Sequence, residues 1–222
     1  MAPSTTLTLD IQDLAFGGKG VARSEGKVYF VPFTIPGEKV VARVTRQKKN
    51  FAEADLVSVA IPSPDRVAPP CPYFERCGGC SYQHIGYERQ LAFKAAQVEQ
   101  TLRRVGRLAE VPMQPAVAAP APYGYRNRIR VHSAGGITGF YAHDARALVD
   151  VEQCLLAVPE VNQALARLRE RQRDAGGCLL WRGSVRPRPG GSICEGGGHR
   201  GQLRGHRQRA TPGPATRELY RR

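Results

Sequence analysis

The chain has 222 residues, with 33 Lys and Arg against 19 Asp and Glu and a formal net charge of +14. That length supports one large domain or two small ones, and the charge favours an anionic polymer, most often nucleic acid, as partner. No apolar run approaches the roughly eighteen residues needed to span a bilayer. The opening "MAPSTTLTLD" lacks the basic start and apolar stretch of a secretory signal. A cytoplasmic setting with reduced thiols is therefore expected, and a disulfide framework is disfavoured.

Residues 1–61 read as short strands. "TLTLDI" alternates, placing Leu7, Leu9 and Ile11 on one face, and "KVYFVPF" and "EKVVARVTR" are rich in β-branched and aromatic residues. "GGKG" at 17–20 and "PG" at 36–37 supply turns. "GGKG" lacks the spacing and the Ser/Thr of a phosphate loop, so a hairpin turn is expected there. Closely spaced strands with no helical period predict a five-stranded, OB-like barrel. In "QKKNF", Lys48 and Lys49 followed by Phe51 would offer phosphate contacts beside a stacking surface. The alternative is an ordinary basic loop with Phe51 packed in the barrel.

"IPSPDRVAPP" (61–70) reads as a stiff linker. "YERQLAFKAAQVEQTLRRVG" reads as a helix in which Leu91, Ala95, Val98, Leu102 and Val105 form one apolar face, expected to pack in a core, with Gly106 as the stop. After a second Pro-rich spacer, "YRNRIRVH" alternates. On a strand it would send Arg126, Arg128 and Arg130 to one face, suited either to phosphates or to solvent. "GITGFYAHDARALVDVEQC" predicts a hairpin running on to Cys154.

Residues 174–222 hold 10 Lys and Arg, 3 Asp and Glu and 11 glycines, with neither strand nor helix periodicity. They are expected to be a disordered basic tail, because little apolar burial is available to offset the entropy of ordering. Cys178 and Cys194 fall in this stretch without an activating partner, and "CEGGGHRG" follows no credible strand, so neither a nucleophile nor a cofactor loop is expected there.

The segment "CPYFERCGGCSYQH" (71–84) places Cys71, Cys77 and Cys80 in a C-x5-C-x2-C pattern, with Cys154 a distant fourth candidate. A redox pair of thioredoxin type would need a strand before and a helix after "CGGC". A metal site is left. Four-thiolate zinc usually draws on two separated C-x2-C knuckles. Three ligands from one loop and one from afar favours an iron–sulfur cluster, with zinc the alternative. His84 is a possible substitute ligand, better suited to a buried hydrogen bond.

These residues resemble the bacterial RNA (uracil-5-)methyltransferases. "CPYFERCGGCSYQHIGYERQLAFK" is similar to their cluster loop, "LDIQDLAFGGKGVARSEGKVYFVPFTIPGEKVVARV" to their RNA-binding TRAM domain, and "YRNRIRVH" with "GFYAHDARALVDVEQCLLAVPEVN" to their central region. The resemblance runs from about residue 5 to about residue 170. It implies a TRAM barrel over 1–61, a 4Fe-4S region of incomplete α+β type over 62–173 ligated by Cys71, Cys77, Cys80 and Cys154, and a tail over 174–222. It also implies ribosomal or transfer RNA as partner and S-adenosylmethionine as the family's methyl donor. In that family a cysteine thiolate adds to uracil C6, the methyl group passes to C5 and a carboxylate removes the C5 proton. The motifs for this step and for the methyl donor are not found in the chain, so it is expected to be the front part of such an enzyme. A reading frame changed near residue 174 would give a patternless Arg/Gly-rich stretch of this kind. A short RNA-binding module without catalysis is the alternative.

Overall fold

The computed structural model describes residues 5–144, 147–174, 181–187 and 193–195. Five strands, β1 (Thr6–Leu14), β2 (Lys19–Ser24), β3 (Lys27–Pro32), β4 (Lys39–Gln47) and β5 (Phe51–Ile61), close into a barrel in the order β1-β2-β3-β5-β4. All pairs are antiparallel except β3 with β5. The expected OB-like barrel is thus present. Its interior is filled by the alternate residues the pleat turns inward, among them Leu9, Ile11, Val31, Val40 and the small Ala22, Ala42, Ala52 and Ala54. Gly17 and Gly18 both have positive φ in the β1–β2 hairpin, the turn anticipated for "GGKG".

The second half is built on a five-stranded antiparallel sheet of order β10-β9-β6-β7-β8. Its strands are β6 (Ile129–Ala134), β7 (Ile137–Tyr141), β8 (Leu148–Asp150), β9 (Trp181–Pro187) and β10 (Ile193–Glu195). The β7–β8 pair is the hairpin expected ahead of Cys154. Helix α2 (Pro159–Asp174), not anticipated from the sequence, covers this sheet. Its Val161, Ala164, Leu165 and Leu168 pack on Ile129 and Val131 of β6, the i, i+3, i+4, i+7 spacing of one helical face. Pro159 at its first position and Glu160 in its first turn are both favourable there.

Two strands fall inside the stretch expected to be structureless. β9 pairs antiparallel with β6 from Ile129↔Val185 to Ser133↔Trp181, and β10 pairs with β9. The expectation of disorder is corrected at these two stretches. Strand addition to a sheet edge is driven by backbone N–H and C=O groups, so it needs no side-chain periodicity. Most of the remaining tail, with Cys178 and nearly all of "CEGGGHRG", lies outside the described residues.

What joins the halves is a buried ion pair. Glu38, 1% exposed, accepts hydrogen bonds on Oε2 from the Ile35 N–H (2.9 Å) and Arg66 Nη2 (2.8 Å). Its Oε1 accepts from the Ser63 N–H (3.3 Å) and Arg66 Nε (2.5 Å). Burial pushes this carboxyl up, but the hydrogen bonds from Arg66, Ile35 and Ser63 outweigh it and hold it below its ordinary value. Arg66 also donates to the Phe33 carbonyl, 2.8 Å. The segment anticipated as a linker is therefore a clamp lying on the barrel end. From it the chain makes the Arg66↔Ile85 bridge. There the Val67 N–H donates to the His84 carbonyl (3.0 Å) and the Gly86 N–H to the Asp65 carbonyl (2.9 Å).

Helix α1 (Tyr87–Arg104) matches the expected span, with Glu88 in the first turn and Arg103 and Arg104 in the last. Gly106 ends it: its N–H donates to the Thr101 carbonyl, and a Cβ there would lie 2.5 Å from the Leu102 oxygen. The expected core stripe is corrected. Val98 is 48% and Val105 76% exposed, and Leu102 is exposed too, whereas Gln97 is buried. Gln97 Nε2 donates to the carbonyls of Leu14 and Ala15, both at 3.1 Å, and its Oε1 accepts from the Tyr82 hydroxyl at 3.3 Å. Helix orientation is set by these bonds and by Phe93 packing at Leu14, Ile35 and Ile85, not by the larger apolar stripe.

Two outcomes check this arrangement. Arg66→Ala leaves the Glu38 carboxylate buried without its counter-charge and is expected to cost about 3 kcal/mol, read from chemical denaturation at neutral pH. Gln97→Ala is expected to destabilise by about 1–3 kcal/mol through loss of its buried hydrogen bonds to the Leu14 and Ala15 carbonyls and the Tyr82 hydroxyl, while Val98→Ser on the same helix shifts stability by no more than about 0.5 kcal/mol. The reverse order would show that the apolar stripe is buried.

Candidate metal centre and nucleic-acid interface

Cys71, Cys77 and Cys80 sit on a loop of tight turns, with the Phe74 N–H donating to the Cys71 carbonyl (3.1 Å) and the Cys77 N–H to the Tyr73 carbonyl (2.8 Å). The loop is pinned on two sides. Phe74 is buried and packs edge-on against Phe33 of the barrel, with centroids 5.2 Å apart, and lies 5.5 Å from the His84 ring. On the other side Gly78 donates to the Tyr141 carbonyl at the end of β7, 2.9 Å, beside a Cys77↔Ala142 bridge. A Cβ on Gly78 would lie 3.0 Å from two carbonyl oxygens, so the first glycine of "CGGC" permits this approach.

Cys154 comes from the other segment. Asn162 of α2 holds it: Oδ1 accepts from the Cys154 N–H (2.9 Å), and Nδ2 donates to the carbonyls of Cys154 (3.1 Å) and Ala157 (3.3 Å). The Glu152 N–H donates to the Tyr73 hydroxyl at 3.2 Å, tying the two cysteine-bearing segments together.

All four sequence-designated cysteines line one cavity of about 210 Å³. None is in a disulfide. Burial pushes the Cys77 and Cys80 thiols up; the Gly79 N–H on Cys77 Sγ and the Gln83 side chain on Cys80 act in the opposite sense. Among the described residues no group of three or more His, Cys, Asp or Glu that could hold a metal ion is found. His84 is not among the lining residues. It is fully buried, with Nε2 3.5 Å from the Thr34 carbonyl, and burial holds its pKa down at about 4, so the ring is neutral at pH 7.

Arg126, Arg128 and Arg130 line the same cavity. The strand begins only at Ile129, so Arg126 and Arg128 precede it; burial alternates only from Arg128 to Val131, and Asn127 is exposed like the arginines that flank it. Arg126 is fixed by backbone bonds, its N–H to the Leu156 carbonyl (2.7 Å) and its carbonyl accepting from Val158 (3.0 Å). Its charge favours the Cys80 thiolate. Arg126 therefore acts on a thiol as well as facing solvent.

Lys48 and Lys49 are exposed at the β4–β5 hairpin, some distance along the chain from the cysteines, where the Lys48 N–H donates to the Phe51 carbonyl, 2.8 Å. Phe51 is 37% exposed and edge-on to Phe30 of β3, centroids 5.8 Å apart, on the outer wall of the barrel. An aromatic surface beside two lysines is thus open to solvent. Nearby, Lys19 pairs with Glu53 at 3.0 Å, and that hydrogen bond holds the Glu53 carboxyl below its usual range. Sequence reasoning missed Asn162, Gln83 and the Glu38–Arg66 pair, because nothing in their spacing marks which polar residues will meet in the folded chain.

Comparison with known proteins fits this geometry. The TRAM domain model matches residues 3–57. An RNA methyltransferase of uncharacterised specificity from Aquifex aeolicus is 40% identical over 164 residues, 74% of this chain and 39% of that protein. Another from Halalkalibacterium halodurans is 35% identical over 170 residues, covering 75% and 37%. The crystal structure of Pyrococcus abyssi tRNA (uracil-54, C5)-methyltransferase in complex with S-adenosyl-L-homocysteine aligns with a TM-score of 0.55 and 26% identity, over 81% of this chain and 42% of that one. The chain spans about two-fifths of the length of the curated relatives it matches. No helix among the described residues is long and apolar enough to cross a membrane.

Asn162→Ala removes three hydrogen bonds from the Cys154 turn and is expected to lower stability by about 1–3 kcal/mol in urea denaturation. A loss below about 0.5 kcal/mol would mean the turn holds its shape without α2.

Proposed function

Since the chain belongs to the RNA (uracil-5-)methyltransferase family through the N-terminal portion of those proteins, we propose that it forms the RNA-binding and iron–sulfur part of an S-adenosylmethionine-dependent enzyme of this kind. It acts on ribosomal or transfer RNA in the cytoplasm. The working division is residues 1–61 for RNA binding and 62–173 for the cluster region. None of the described residues is assigned to the methyl donor or to the chemical step.

The observation that carries the reading is the convergence of Cys71, Cys77, Cys80 and Cys154 on one cavity beside the barrel. Four-thiolate zinc usually draws its ligands from two separated C-x2-C knuckles, which is not the pattern here. A 4Fe-4S cluster takes one thiolate at each iron corner, so its ligands stand apart around it. The residues present fit that group: four sulfurs, the Gly79 N–H and Gln83 amide directed at two of them, and arginines lining the cavity. When bound, the cluster supplies a cross-link between the 71–80 loop and the Cys154 turn, and it is assigned a structural role.

On the barrel, Lys48 and Lys49 would contact phosphates and Phe51 would stack on a base. Arg126, Arg128 and Arg130 would extend the cationic track to the cysteine region. Held in one body with the barrel by the Arg66 clamp, these groups present RNA to the rest of the enzyme in a fixed orientation.

Two measurements test this. Anaerobically purified protein is expected to be brown, with broad absorbance near about 400 nm, and Cys154→Ser is expected to lose it. Colourless protein carrying one zinc per chain would overturn the cluster assignment. Binding to single-stranded RNA is expected to weaken with salt at a log–log slope of about −0.7 per phosphate contacted, so Lys48→Ala with Lys49→Ala would flatten the slope by about 1.4. Affinity independent of salt would overturn the RNA reading.

A further inference from the structure

Next to the cysteine cavity, and sharing Cys80, Gln83 and Arg126 with it, lies a larger open cleft of about 480 Å³. It forms where five pieces of chain meet: the β1–β2 hairpin at Gly17, the cysteine loop, the first two turns of α1, the 119–126 segment and Leu156. The hairpin is seated closely here, since a Cβ on Gly18 would lie 2.9 Å from that of Ser81.

The wall has an unusual composition. Tyr82, Tyr87, Tyr123 and Tyr125 line it with the cations Lys94 and Arg126, and no carboxylate is among the lining residues described. Elsewhere on the barrel, by contrast, Lys19 and Arg46 are both paired with Glu53. Two of the rings are held in place beforehand. The Tyr82 hydroxyl donates to Gln97 and its ring carries Lys94 Nζ 5.4 Å from the centroid; the Tyr87 hydroxyl accepts the Ala119 N–H at 2.8 Å. Tyr125 is 55% exposed. At the floor, Gln83 is 6% exposed, and its Oε1 is a buried acceptor without a hydrogen-bond partner.

We infer that this cleft is a second RNA-contact site, taking one unpaired nucleotide whose base stacks on the tyrosines and whose phosphate lies between Lys94 and Arg126. The reasons are physical. The volume is that of a pocket for a small molecule, not a duplex groove. Stacking on fixed rings accepts any base and costs little side-chain entropy. Gln83 Oε1 supplies an acceptor for a base N–H, and leaving it unmet in a closed complex would be costly. A duplex, whose base faces are already stacked, cannot enter. Since the cleft abuts the cysteine cavity, an occupied cleft and an assembled cluster region share the same supporting loop. The inference rests on the RNA reading proposed above but concerns a different surface from Lys48, Lys49 and Phe51.

The experiment uses the full chain, purified anaerobically, with a fluorescent single-stranded RNA and a duplex of the same sequence. Lys94→Ala combined with Tyr125→Ala, both exposed positions, is expected to weaken single-strand binding about tenfold and leave duplex binding unchanged. A barrel variant, Lys48→Ala with Lys49→Ala, is measured in parallel. If the barrel variant weakens binding and the cleft variant does not, the cleft is overturned and the RNA reading stands. If unmodified protein binds neither RNA, both fall. To avoid dependence on variant folding, unmodified protein is also irradiated with RNA carrying 4-thiouridine. Crosslinks to peptides containing Tyr82, Tyr87, Tyr123 or Tyr125 are expected, and crosslinks confined to the barrel hairpin would overturn the site.

Discussion

The buried Glu38 carboxylate is the constraint on which the arrangement of the two halves depends. It accepts four hydrogen bonds, one from the Ile35 N–H at the barrel end, one from the Ser63 N–H of the 61–67 segment and two from Arg66. A carboxylate removed from water is tolerated only where its oxygens are satisfied. Satisfying it requires residues 61–67 to lie against the barrel instead of running free. That choice fixes where the cysteine loop starts, and the Arg66↔Ile85 bridge fixes where it ends.

Between those two points the loop has little freedom. Phe74 and His84 are packed with Phe33 on the barrel side, and Gly78 is bonded to the end of β7 on the other. The Cys154 turn is set independently by Asn162 on a helix whose own position follows from packing on β6. The four thiols therefore face one space because three separate packing problems are solved consistently. Their approach is not a property of the C-x5-C-x2-C spacing.

Burial of polar groups also decides features that hydrophobic patterning gets wrong. On α1 the strongest apolar periodicity, Val98–Leu102–Val105, is turned outward while Gln97 goes in. At the barrel end one amide donates to both the Leu14 and the Ala15 carbonyls, which an aliphatic side chain cannot do. The same rotation brings Tyr82, Tyr87 and Lys94 to one cleft.

The barrel was legible in the sequence because its signals are local: alternation in "TLTLDI", β-branched runs, and glycines at Gly17, Gly18 and Gly37 where φ is positive. The span of α1 and the β7–β8 hairpin were legible for the same reason. Which way α1 faces, the docking of the 61–67 segment, α2 as the support of Cys154, and the pairing of β9 with β6 were decided only in the folded chain. Each depends on a backbone or side-chain polar group finding a partner elsewhere in the chain, from eight residues away for Asn162 and Cys154 to 83 for Gln97 and Leu14. The sequence records the residue types that can meet, and their meeting is a property of the packed whole.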